Sequence, residues 1–134
     1  MKVSSADAIY HLERLVPGYS FKDLNKRLER WADWARSPSM GGVGGSAGYM
    51  RERLDKAADS FEMTDEIAAT ERAIARTKLQ RKLYWKIIQR YYLGRLSLME
   101  IAYFFHASES RIKATYDEAC VVIHRNILEI EASP

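Results

Sequence analysis

Residues 97–123 read SLMEIAYFFHASESRIKATYDEACVVI, which has the pattern of two short amphipathic helices separated by a tight turn. Ser97 can cap the first helix, and Glu100 three residues later completes a capping box. Leu98, Ile101, Ala102 and Phe105 follow at i, i+3, i+4 and i+7, which places them on one helical face. The pattern stops at Phe105-His106-Ala107, and Ser108 offers a second N-cap. Ile112, Tyr116, Ala119 and Ile123 then line one side of a second helix. Two helices joined by a turn of about three or four residues form a helix-turn-helix, whose second helix can lie in the DNA major groove. The same arrangement occurs as plain scaffold in helical bundles that bind nothing.

The preceding segment strengthens the nucleic-acid reading. Between Glu71 and Arg95 stand eight basic residues, Arg72, Arg76, Lys78, Arg81, Lys82, Lys86, Arg90 and Arg95, against the single acid Glu71. Tyr84, Trp85, Tyr91 and Tyr92 are interleaved with them. Such a segment can neutralise phosphates with one face while its aromatic and aliphatic side chains are buried. The alternative is a solvated helix face that aids solubility.

The chain of 134 residues, 47% of them hydrophobic, suits one compact domain. No apolar run approaches the roughly 20 residues of a membrane span. The opening MKVSSADAIYHLERL contains acids and lacks the apolar core of a secretory signal, so a cytoplasmic location is expected. Net charge is only +3, so its distribution carries the argument. Residues 71–95 are basic, whereas 52–66 hold Glu52, Asp55, Asp59, Glu62, Asp65 and Glu66. A single cysteine, Cys120, excludes an internal disulfide and any multi-thiolate zinc site. Its neighbours Ala119, Val121 and Val122 point to a buried structural thiol.

Residues 5–16 form a short amphipathic helix candidate ended by Pro17-Gly18. Ser20 can cap a helix over 21–36 with Phe21, Leu24, Leu28, Trp31, Ala32 and Ala35 on its apolar face and Trp34 beside it. Residues 1–36 thus make an N-terminal helical segment. Residues 37–49 follow as a flexible connector holding five of the seven glycines, and they begin the link to a helical region over 50–134. GGVGGSAG has the G-x-x-G spacing of a phosphate cradle, but no GK[ST] follows and no strand precedes it. Tyr49 to about Phe61 is another helix candidate. Thr64 can cap a helix with Asp65 and Glu66 in its first turn, and the helical pattern runs on to about Leu93, with Gly94 as its stop and a break near Thr77 left open, though no Gly or Pro forces one. Leu79, Leu83, Ile87 and Tyr91 recur every four residues and are expected to pack under the two helices that follow. Period-two alternation is absent throughout, so the fold expected is all-α, a helical domain containing a helix-turn-helix and a Gly-rich loop.

His11, His106 and His124 have no neighbour at metal-ligand spacing, and nothing indicates a nucleophile–base pair. Neither an enzymatic activity nor a metal or other cofactor is expected.

Two family resemblances converge on these residues. Gly94, the run Ser97-Leu98-Met99-Glu100-Ile101-Ala102, the helix start from Ser108 to Arg111-Ile112, and Ala119-Cys120 are similar to region four of bacterial sigma factors. More broadly, the order of three features resembles the Q-type phage late-gene antitermination proteins. These are Leu28-Glu29-Arg30-Trp31-Ala32-Asp33-Trp34-Ala35, the loop Gly41 to Tyr49, and Tyr91-Tyr92-Leu93-Gly94-Arg95-Leu96-Ser97. This second pattern covers about Leu24 to Ile127. It implies a phage protein that binds a double-stranded DNA element near a late promoter, loads onto bacterial RNA polymerase paused with sigma, and suppresses termination. Nascent RNA is a further contact to consider, as is self-association on the transcription complex. Glu109, Ser110 and Ala114 stand where sigma factors carry their base-reading side chains, so the element read must differ from a sigma promoter motif.

The residues expected to meet DNA are Ser108, Glu109, Ser110, Arg111, Lys113 and Ala114 at the start of the second helix, with Ser110, Arg111 and Lys113 facing the groove. Arg81 and Lys82 are expected to contact phosphate. Competing readings are a sigma-like or other helix-turn-helix activator without antitermination, and a phage packaging or assembly protein.

Overall fold

The computed structural model describes residues 18–37 and 63–133. Among them the chain is all-helical: α1 (Phe21–Arg36), α2 (Asp65–Gln80), α3 (Lys82–Ile88) continued by a π-helical turn (Gln89–Leu93), α4 (Leu98–Phe104) and α5 (Glu109–Ala132). No strand occurs among the described residues. The expected helices over 5–16 and 49–61 lie outside the described residues, as does the Gly-rich loop beyond Ser37. No described helix is long and apolar enough to cross a membrane.

Helix starts follow the side chains that satisfy their free N–H groups. Ser20 Oγ accepts from the Asp23 N–H at 3.4 Å, and Thr64 Oγ1 accepts from the Ile67 N–H at 3.1 Å. α1 buries Leu24, Leu28, Trp31 and Ala32 as its spacing predicts, and Trp34 joins them in the core. The Trp31 indole N–H donates to Glu71 of α2, so the lone acid of the basic segment is a structural acceptor. Arg27 ties three elements together, donating to Thr70 Oγ1 (2.7 Å), the Glu66 carbonyl (3.3 Å) and Glu131 Oε1 near the end of α5 (3.1 Å).

The helical span expected from Thr64 to Leu93, with a break left open near Thr77, is broken four residues later at Arg81, whose backbone is extended (φ −156°, ψ 107°). No Gly or Pro causes this. Ile67, Thr70, Ile74, Thr77, Tyr84 and Ile88 are all buried and follow alternating steps of three and four residues, apart from the jump from 77 to 84. In an unbroken helix Arg81 would fill that jump, at the centre of the buried stripe. Burying an unpaired guanidinium is costly, and the extended residue carries it out to solvent instead. Leu79, expected to pack inward, is 88% exposed because it lies across α2 from Thr77. Ile87 of the same expected series is fully buried, while Leu83 and Tyr91 are half-buried.

Gly94 ends this segment for a different reason from the one its position suggests. Its φ is −83°, and the left-handed conformation belongs to Arg95 (φ 54°). A Cβ at Gly94 would lie 2.8 Å from the Arg90 carbonyl oxygen, so glycine is required for close approach. The wide π turn, closed by Gly94 N–H to the Gln89 carbonyl at 3.0 Å, brings both Tyr91 and Tyr92 against α5.

α5 is the central element. It packs along α2, where Asn126 Nδ2 donates to Thr77 Oγ1 and Gln80 Oε1, each at 2.9 Å. Its other neighbours are α3, α4 and α1.

Candidate nucleic-acid interface

The turn between α4 and α5 is built by local hydrogen bonds. Ser97 Oγ accepts from the Glu100 N–H and Glu100 Oε1 accepts from the Ser97 N–H, both at 3.1 Å, so the expected capping box forms. α4 ends at Phe105, and His106 takes a left-handed φ of 54°. The His106 N–H then reaches the Tyr103 carbonyl (3.2 Å) and the Ala107 N–H reaches the Ala102 carbonyl (3.0 Å). This pair of bonds is a Schellman ending with a histidine where glycine is usual. Ser108 Oγ accepts from the Arg111 N–H at 3.2 Å and starts α5. Residues 105–108 therefore reverse the chain, and Ile101 and Ala102 of α4 are buried with Ile112 and Tyr116 of α5.

This packing fixes what α5 presents to solvent. Ser108, Glu109, Ser110, Arg111 and Ala114 are all exposed and adjoin one another on its first turns. Lys113 does not join them. Its ammonium lies 2.8 Å from Asp117 Oδ1, with side chains only 15% and 7% exposed, and it sits over the rings of Phe21 and Tyr116. The expectation that Lys113 faces a DNA groove is thus corrected. At position 113 the helix has already turned toward α1, and the charge is satisfied internally. Burial pushes the Asp117 carboxyl above its ordinary range, with the Lys113 ammonium opposing that rise.

Arg81 and Lys82 are exposed at the break between α2 and α3. The Arg81 guanidinium lies over the Tyr84 ring at 4.8 Å and donates to the Tyr84 hydroxyl at 3.2 Å. That hydroxyl donates onward to Glu118 Oε2 at 3.0 Å. Glu118 is two helical turns beyond Arg111, about 10 Å along the same edge of α5. The break therefore brings Arg81 alongside the exposed edge of α5, although the two are remote in sequence. Glu118 was not among the residues expected to matter. Its signal was its spacing, four residues after Ala114 and seven after Arg111.

The rest of the basic array does not form one stripe. Arg76 pairs with Glu129 at 3.1 Å, Lys78 lies over Trp85, and Arg90 stacks over Phe104 and Phe105.

Cys120 is fully buried, and burial pushes its thiol up to about 12, which keeps it protonated and unreactive. Among the described residues no group of three or more His, Cys, Asp or Glu side chains could hold a metal ion. The chain matches no family model, no curated protein and no solved structure.

Proposed function

We propose that this protein binds double-stranded DNA through the start of α5, with α4 and α5 working as a helix-turn-helix. We further propose that it acts on bacterial RNA polymerase as a phage-type antitermination factor. One observation carries the DNA reading: the first turn of α5 is polar and exposed from Ser108 to Arg111, while Ile112 and Tyr116 behind it are anchored in the core. A rigidly seated helix with a free N-terminal turn suits base contact, because its backbone N–H groups and side chains meet the groove without disturbing the core. Arg81 beside Glu118 supplies a flanking cation for the phosphate backbone. The antitermination part rests on the resemblance of residues 24–127 to the Q-type proteins.

The test has two stages. Selection from a random duplex library should enrich one sequence element, bound more tightly than bulk duplex. A template carrying that element, a promoter and a downstream terminator is then transcribed with purified bacterial RNA polymerase. Antitermination raises read-through after initiation has finished, whereas an activator raises initiation and leaves the read-through fraction unchanged. No enrichment of any element, with the protein shown to be folded, would overturn the DNA reading.

A further inference from the structure

The outer face of α4 is unlike the rest of the described surface. Tyr103 is 84% exposed, Met99 66% and Phe104 56%, and Leu96 and His106 border them. The guanidinium of Arg90 lies 4.3 Å from the centre of the Phe104 ring and 5.0 Å from that of Phe105. Arg95, next to Leu96, is exposed and held in its left-handed conformation. The patch therefore combines two exposed aromatic rings with the Arg90 cation, and Arg95 lines the adjoining depression that shares Leu96 and Glu100 with it. The nearest acid, Glu100, has one carboxylate oxygen engaged in the capping box.

We propose that this face binds single-stranded RNA, with bases stacking on Tyr103 and Phe104 and with Arg90 and Arg95 meeting the phosphates. The choice of RNA over other single strands rests on the function proposed above, because a factor riding on polymerase meets its transcript as a single strand. The chemistry favours a nucleic acid over a protein. Aromatic rings beside cations are what an unpaired base and its phosphate require, and each base needs only one ring. An amphipathic helix would need a groove with anchors spread over about two turns. Here the apolar surface is the outside of one seven-residue helix, roughly 10 Å long. It is also far smaller than the roughly 800 Å² per partner that a stable dimer buries.

Binding of a labelled, unstructured RNA of about 15 nucleotides is measured by fluorescence anisotropy, beside single-stranded DNA of the same sequence and the selected duplex. Wild-type protein should bind the RNA at least as tightly as the single-stranded DNA. Tyr103→Ala should weaken RNA binding by about 5- to 150-fold, the range for losing one stacked base, and leave duplex affinity and thermal stability unchanged. Tyr103→Leu keeps apolar surface without a π face and should be nearly as weak, whereas Tyr103→Trp should bind as well as wild type. RNA binding that is absent, indifferent to Tyr103→Ala or restored by leucine would overturn the proposal, as would tighter binding of the DNA strand. A dimer in sedimentation that Tyr103→Ala dissolves would overturn it too, by placing a second copy on the patch. Duplex binding without RNA binding sinks this proposal alone. Tyr103-dependent RNA binding without duplex binding sinks the DNA reading instead.

Discussion

The phenol oxygens of Tyr92 and Tyr116 lie 2.7 Å apart inside the protein, where the π turn after α3 meets the middle of α5. Tyr92 also donates to Asn25 Oδ1 of α1 at 2.7 Å, so the shared proton between the two tyrosines is donated by Tyr116. The chain Tyr116–Tyr92–Asn25 joins three elements, and burial keeps both phenols protonated far above their ordinary range. Tyr92→Phe strips partners from both neighbours and should cost about 1–3 kcal/mol. Tyr116→Phe leaves the Tyr92–Asn25 bond intact and should cost about 0.5–1.5 kcal/mol. Urea denaturation of the two variants checks the order; a larger loss for Tyr116→Phe would mean that the network is donated in the opposite sense.

Lys113 and Arg111 separate enclosed from solvent-exposed charge on one helix. Lys113→Ala leaves the buried Asp117 carboxylate unpaired, for a loss of about 1–3 kcal/mol at neutral pH. Duplex affinity should stay within about twofold of wild type when measured well below the melting temperature. The loss should shrink under acid, because removing the ammonium lets burial raise Asp117 further and its protonation relieves the unpaired charge. Arg111→Ala should do the reverse, preserving stability while weakening the selected duplex by about 1–3 kcal/mol more than random duplex. Equal losses on both duplexes would reassign Arg111 to phosphate.

If Arg81 touches phosphate, Arg81→Gln should weaken all duplexes alike. The slope of log affinity against log salt should fall by roughly 0.9, because one phosphate is no longer neutralised by the protein. An unchanged slope would leave Arg81 as the partner of Tyr84 alone.

Two backbone positions respond to opposite changes. His106 occupies a left-handed conformation that costs an L-residue about 1–2 kcal/mol, against the roughly 0.5–1 kcal/mol of extra unfolded-state freedom that glycine brings. His106→Gly should therefore raise stability by about 0.5 kcal/mol. Gly94→Ala pushes a methyl against the Arg90 carbonyl and should lower it by about 1–3 kcal/mol. Thermal melts followed by circular dichroism report both, and a stable Gly94→Ala would show that the π turn can relax.

His124 makes stability depend on pH. Its Nε2 is buried without a hydrogen-bond partner among the described residues, and its ring lies edge-on to Tyr19. Burial lowers its proton affinity below the ordinary value of 6.5, aided by the charges of Arg27 and Arg125. The unfolded chain then binds more protons than the folded one as pH falls through 6.5, so this group's contribution to stability is lost on acidification from that point. Replacing His124 with leucine should flatten the stability profile between about pH 7 and the onset of carboxylate titration. A profile as steep in the variant as in wild type would place the dependence elsewhere.

Much of the local structure was legible in advance because it depends on neighbours in the chain. Ser20, Thr64, Ser97 and Ser108 each cap the helix that their spacing assigns to them, and Glu100 closes its capping box. The buried faces of α1, α4 and α5 follow from steps of three and four residues, since a helix repeats every 3.6. That the break falls at Arg81 rather than near Thr77 was not legible. Its cause is the direction in which position 81 would face across to α5, and helix propensity at Arg81 and Lys82 contains no trace of it. Trp34, beside the apolar face of α1 in the pattern, is also decided by packing: its flanks Asp33 and Arg36 pair with each other while the ring is buried.

By itself, then, the sequence determined the helical class, the caps, and the pair of helices with a short turn between them, because these are set by hydrogen bonds and periodicity within a few residues. Only the tertiary structure decided which charges are free. Lys113 and Arg111 are two residues apart in the same helix, yet one is closed against Asp117, Phe21 and Tyr116 and the other stands in solvent. Arg81 reaches the edge of α5 only because an unpaired charge cannot remain on the buried stripe between Thr77 and Tyr84. Charge and pattern are properties of the chain, but exposure is a property of what packs against it.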